Sequence, residues 1–310
     1  MARAEGNKPV NPPVSPRKAA AFSLICPGCG HFYLDQPGQA AAFLAPAVAL
    51  GGGGIALLLD KPELGNPDDP ALEADDPIAF QMVMATQNLY FYSIFAAYRD
   101  ARALRPDLHY EIPVSQESLG DLASAPFSPS VLARPWVWLG VPVAVGAALG
   151  LTALLDDDGL DGDERTLFDE GDVNFLGRRT SKAAGVTLGE IYLAALFTPV
   201  AVGEEALFRG FLQPILSERV GVEGGWALTT LAFGAVHVLN YVEEDVGTAA
   251  AAVSFITAVG GYIGIAHVQT GYTLATPVAI HFWYDFLLST AVFIADPDHA
   301  PFVARVALPW

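Results

Sequence analysis

Eight stretches of nearly uninterrupted apolar residues set the limits on what this chain can become: about 19 to 34, 40 to 59, 78 to 98, 131 to 155, 183 to 203 running on into 216, 225 to 241, 247 to 269 and 272 to 294. Most are roughly 17 to 25 residues long, the length at which a helix crosses about 30 Å of hydrocarbon. They lack the 3.6-residue alternation of a helix with one wet face, so each reads as buried all round in lipid or protein. Composition agrees, with 52% hydrophobic residues, 16% charged residues and a mean hydropathy of +0.37. The expected fold class is therefore all-α: a polytopic integral membrane protein with about seven or eight transmembrane or membrane-embedded helices.

The net charge of −18 sits almost wholly between these stretches. Residues 60–77 hold seven acids and one Lys, and residues 156–182 hold nine acids and four bases. Such loops repel nucleic acid and read as solvated connectors. The expected organisation is a disordered cytoplasmic tail over 1–18, an N-terminal membrane region over 19–155 that includes acidic loop 60–77, the acidic loop 156–182, a C-terminal membrane domain over 183–294 and a tail over 295–310. No small-residue cleavage site marks the first stretch as a removable signal peptide. That stretch is short and carries Pro27, Gly28 and Gly30 in its second half. Arg99, Arg102 and Arg105 place the 99–130 loop in the cytoplasm by the positive-inside rule, as the basic tail does for the N-terminus. Both hold only if an even number of spans separates them, so the first stretch is expected not to cross. The expected location is multi-pass in the cell's inner, or plasma, membrane.

Cys26, Cys29 and His31 form "CPGCGH", whose Cys-x-x-Cys could be half a zinc site or a redox pair. These are the only cysteines. The surrounding "PGCGHFYLDQ" resembles a turn found between short hydrophobic helices of bacterial membrane proteins, and the reading favoured is two buried thiols.

The C-terminal region concentrates ionisable groups at membrane depth, where a charge costs at least about 2.5 to 3.5 kcal/mol and marks a functional position. Glu204, Glu205 and Arg209 lie in one stretch, Phe233 and His237 in the next, and His281 and Asp285 in the last. Glu205 and Arg209, four residues apart and of opposite sign, can neutralise each other along a helix. Glu204 points about 100° away and needs a partner from elsewhere. His31, His109 and His299 fall at or outside membrane edges, and His267 reads as a packing or span-end residue, which leaves His237 and His281. A buried Glu and His can hold and deprotonate a water between them. A second His with an Asp can face a developing oxyanion.

In order along the chain, "EEALFR", "FGAVH" and "HFWYD" resemble the Glu-Glu-x-x-x-Arg, Phe-x-x-x-His and His-x-x-x-Asn/Asp motifs of the CPBP family of intramembrane proteases. That family includes the CAAX prenyl proteases of the Rce type and the bacterial Abi proteins. The match covers about residues 183 to 294 and leaves the N-terminal half unexplained. The resemblance implies that Glu204 is the general base, that His237 holds the same water, that His281 and Asp285 stabilise the oxyanion, and that Glu205, Arg209 and Phe233 support them. Asp285 departs from the CAAX proteases, which have Asn: a carboxylate donates a hydrogen bond only when protonated, so Asp285 is either kept neutral or orients His281 instead.

The implied activity is endoproteolysis of a membrane-anchored or membrane-spanning protein, with the lipid bilayer and that substrate as partners and no cofactor. The acidic, Gly-rich chain resembles the bacterial branch more than the eukaryotic enzymes, which argues against prenylated substrates and suggests sorting tails, as in the myxosortase branch, or a bacteriocin-like peptide. A zinc site at Glu204, His237 and His281 is the rival mechanism, without a His-Glu-x-x-His to support it. A proton-coupled transporter or a non-proteolytic scaffold are rivals of another class. No inverted repeat of the Glu-Glu-x-x-x-Arg segment supports transport, and no Gly-x-Ser-x-Gly supports a serine nucleophile.

Overall fold

The computed structural model describes residues 14–59, 75–155, 166–175, 178–242, 244–295 and 297. Residues 1–13 of the expected 1–18 tail, residues 60–74 of the first acidic loop, residues 156–165 and 176–177 of the second, and nearly all of 296–310 lie outside the described residues. Among those described, the fold is built from helices, as expected. Five runs are long and apolar enough to cross a membrane: Pro37–Leu57, Pro135–Thr152, Lys182–Tyr241, Val246–Gln269 and Ala275–Ala295.

The first apolar stretch is not a continuous helix. It divides into α1 (Pro16–Ser23) and α2 (Cys29–Tyr33), separated by a turn in which Gly28 adopts φ 83°. Neither piece is long enough to cross. Helix α1 starts inside the stretch expected to be a tail, capped by the Ser15 side chain. The turn also corrects the reading of the cysteines: Cys26 and Cys29 are joined in a disulfide, their Cα atoms 5.3 Å apart and within bridging range.

Helices α3 (Pro37–Leu59) and α4 (Asp75–Ala103) follow. Helix α4 carries polar residues such as Gln81, Gln87 and Asn88 and is not among the five apolar runs, but its 29 residues could extend about 44 Å. It packs between α3 and the later core, and small residues set the spacing. A Cβ at Gly54 would lie 3.1 Å from the Ala79 carbonyl. Short helices α5 (Leu119–Ser124) and α6 (Pro129–Leu132) lead into α7 (Pro135–Leu155). A small antiparallel ribbon, β1 (Val173–Phe175) with β2 (Arg178–Thr180), rests on the start of α8 (Lys182–Glu205) through Val173 and Gly185.

The 60-residue run from Lys182 to Tyr241 would be about 90 Å long if straight, three times a bilayer's hydrocarbon. It is a hairpin instead. Helix α8 passes through a π-helical segment, Ala206–Leu212, into α9 (Gln213–Val236), which breaks at Gly221 with φ 82° and ψ 165°. A Cβ at Gly225 would fall 2.1 Å from Ser217 Oγ, and both Gln213 and Trp226 abut Gly264 of α10 (Val246–Gln269). Contacts that close between residues eight or more apart require the chain to fold back at the glycine, where positive φ suits only that residue type. A 3₁₀ turn, His237–Tyr241, ends the second arm.

Helix α11 (Ala275–Ala295) closes the bundle against α7 and α8. Its entry is fixed by polar groups from the 99–134 region. Glu117 accepts from the backbone N–H of Leu274 at 2.6 Å and of Ala275 at 3.3 Å, while Arg134 Nη1 donates to Thr276 Oγ1 at 2.6 Å. A carboxylate on the free N–H groups of a helix start offsets both the missing hydrogen bonds and the dipole. Replacing Glu117 with Ala should cost about 1 kcal/mol and lower the thermal midpoint of the detergent-solubilised protein. An unchanged midpoint would show that α11 does not depend on this cap.

Candidate active site

The site begins where α8 gives way to the π-helical segment, immediately after Glu204 and Glu205. A π-turn widens the helix locally and recurs at functional positions. Gly203 brings this stretch against α4, since a Cβ there would lie 2.5 Å from Asn88. Gly210 does the same on the following turn, where a Cβ would meet the Phe95 ring at 2.6 Å.

Glu205 and Arg209 are both fully buried. Arg209 Nη1 donates to Glu205 Oε1 at 2.9 Å, and Nη2 donates to the Gly260 carbonyl of α10 at 2.6 Å. The guanidinium lies over the Phe233 ring, 4.4 Å from its centroid. Gly260 is required here: a Cβ would press on Phe233 at 2.6 Å and on Arg209 at 3.2 Å. The same Glu205 oxygen also faces His281 Nδ1 at 2.8 Å. Glu205 thus ties α8, α10 and α11 together. The ion pair expected from the four-residue spacing is present, and its second partner, His281, comes from 76 residues further along the chain.

The other nitrogen of His281, Nε2, lies 3.2 Å from Asp285 Oδ2. That is ion-pair distance, with an alignment that leaves Asp285 Oδ2 without a hydrogen-bond partner. A ring between two carboxylates is suited to donate on both sides as imidazolium. Arg209 and His281 then balance Glu205 and Asp285, and Glu204 is the odd acid.

Glu204 Oε2 is buried without a hydrogen-bond partner, 3.9 Å from His237 Nε2. That gap is too long for a direct hydrogen bond and suits a water held by both. His237 Nδ1 sits 2.6 Å from the Phe233 carbonyl. A carbonyl only accepts, so Nδ1 carries the proton and the neutral ring turns the Nε2 lone pair toward Glu204. The four residues of the expected site, Glu204, His237, His281 and Asp285, line one cavity of about 20 Å³ together with Phe233 and Tyr284. Ile256, Val259 and Ile263 supply its apolar side. A buried water needs about 10 to 15 Å³ of such space, so the cavity has room for one.

His267 lies in the last turn of α10, with Nδ1 3.0 Å from the Thr273 carbonyl, and does not line the cavity. Gly260 has no role in the sequence reading, and Tyr284 enters it only because Tyr284-Asp285 echoes half of a presenilin-type aspartyl pair, for which no Gly-x-Gly-Asp follows. The closely spaced glycines of "GGYIG" were the available signal for the first, because small residues on a membrane helix mark a close approach.

With this geometry in place, residues 186–287 match the family model described as Rce1-like, type II CAAX prenyl endopeptidase. This segment is similar to a CAAX-protease domain. The family so described is one of peptide-bond hydrolases. The match spans about a third of the 310 residues and contains all three motifs. No curated protein and no solved structure matches the chain.

Within the matched segment, removing Arg209 leaves the Glu205 carboxylate buried against His281 alone. Arg209→Met should therefore destabilise the protein by about 3 to 5 kcal/mol, seen as a sharp fall in the thermal midpoint. The double variant Arg209→Met with Glu205→Leu should recover much of that stability. If the single variant melted like the wild type, the pair would not be a structural tie.

Proposed function

We propose that the chain hydrolyses a peptide bond of a membrane-anchored or membrane-spanning protein by direct attack of water, with Glu204 as general base. The observation that carries this reading is the one-water cavity, in which an unpartnered Glu204 oxygen faces the open nitrogen of His237 across 3.9 Å. A water there donates one hydrogen to Glu204 and the other to His237. As its oxygen adds to the scissile carbonyl carbon, Glu204 takes the proton and the carbonyl electron pair moves onto oxygen. His281 Nε2–H, which lies 3.2 Å from Asp285 Oδ2 without an aligned hydrogen bond to it, turns to that oxyanion, and the Asp285 carboxylate balances the charge of the ring. Collapse of the intermediate re-forms the carbonyl and breaks the C–N bond, and Glu204 returns its proton to the leaving nitrogen. Glu205 and Arg209 fix His281 without touching the substrate, and Phe233 packs between Arg209 and His237.

The substrate reading follows from position. A site enclosed by apolar helices is reached by chains already in or beside the bilayer, and the acidic connectors do not suit nucleic acid. A C-terminal sorting tail, as in the myxosortase branch, is the substrate class we favour, cleaved at the inner membrane of a bacterial cell. The test is a comparison of the membrane proteome of cells carrying Glu204→Ala with that of wild-type cells. A protein accumulating at its uncleaved length is expected, and if no such protein appeared the protease reading would fail.

We also propose that no metal takes part. Among the described residues no three His, Cys, Asp or Glu side chains converge as a ligand set, and both nitrogens of His281 are already turned to carboxylates. Protein treated with a strong chelator should keep its full cleavage rate. Loss that added zinc restores would hand the site to the metalloprotease mechanism.

A further inference from the structure

We propose that the Tyr284 hydroxyl is a catalytic hydrogen-bond donor to the oxyanion. This rests on the water-attack reading above and assigns one more residue to the same site. The tetrahedral intermediate places a full negative charge on the former carbonyl oxygen, which enclosed sites meet with preorganised donors.

The donors already assigned fall short. Glu204 and the neutral His237 ring present acceptors toward the water. Arg209 spends its two terminal nitrogens on Glu205 and the Gly260 carbonyl. His281 has only Nε2–H left, because Nδ1 faces Glu205. Asp285, at the position where the CAAX proteases place an amide donor, presents carboxylate oxygens, which accept.

The neighbouring residue repairs the deficit. Tyr284 lines the same cavity, is 6% exposed, and has a buried hydroxyl without a hydrogen-bond partner among the described residues. A buried phenol left unpaired is costly and is tolerated where a ligand completes it. Tyr241, whose hydroxyl is also unpartnered, does not line the cavity. Tyr284 and Val259 also form part of the wall of an apolar groove of about 310 Å³ between α7, α10 and α11, with Gly140 and Ala144 on its far side. The phenol therefore stands at the boundary between the water site and the place where an apolar substrate segment can lie. In the reaction the hydroxyl keeps its proton throughout: it hydrogen-bonds the oxyanion and releases it when the carbonyl re-forms.

The experiment uses the full chain in proteoliposomes, with the membrane protein that accumulates uncleaved in Glu204→Ala cells, purified from them, as the probe. Tyr284→Phe keeps the ring and is expected to lower kcat about 100-fold while KM stays within about twofold. Incorporation of 3-fluorotyrosine at position 284 alters only the acidity of the donor and is expected to change kcat and the alkaline limb of its pH profile. A wild-type kcat in Tyr284→Phe, a loss confined to KM, or an unmoved profile with fluorotyrosine overturns the proposal while leaving Glu204 as the base. If Glu204→Ala cells accumulate nothing, the underlying reading fails and this assignment fails with it.

Discussion

A single buried carboxylate oxygen, Oε1 of Glu205, holds the centre of this molecule together. It accepts from Arg209 on its own helix and faces His281 on the last one, while Arg209 reaches across to the backbone of α10. In a low-dielectric interior such contacts are strong, and an incomplete set is costly. Glycines let the surrounding helices approach this centre. Gly260 admits the guanidinium and the Phe233 ring, Gly203 lets α8 meet α4, and Gly210 lets the widened turn meet Phe95.

The division of labour between the two adjacent glutamates follows from direction rather than chemistry. Glu205 points into the closed network, where its Oε1 meets both Arg209 and His281. Glu204, one residue earlier, points to a space the protein leaves open to a water-sized occupant. Two identical side chains thus serve as a structural tie and as a candidate base, and the widened π-turn begins immediately after them.

Much of this was legible in the sequence, and the remainder was not for definite physical reasons. Uninterrupted apolarity gave the spans because bilayer thickness fixes helix length. The pairing of Glu205 with Arg209 was legible because both residues sit on one helix, four apart. The contact of Glu205 with His281 was not, because nothing in local spacing fixes how two helices 76 residues apart rotate against each other. The same limit hid Tyr284, which reads as one more aromatic in "HFWYD" until the unpaired hydroxyl is seen beside the cavity. The continuous apolarity through residue 216 concealed the π-turn, and Cys-x-x-Cys spacing alone did not distinguish thiols from the disulfide that the Gly28 turn permits.

The hairpin broken at Gly221 has a consequence for the order in which the site comes into being. Glu204 and His237 lie on its two arms, so both halves of the water site exist once the second arm has been synthesised. His281, Asp285 and Tyr284 arrive only with α11, the last long helix described. Until that helix is inserted, the proposed base has none of the proposed donors beside it. On the mechanism proposed above, the hairpin alone is therefore an incomplete site, and the packing of α11 against α8 is the step that completes it.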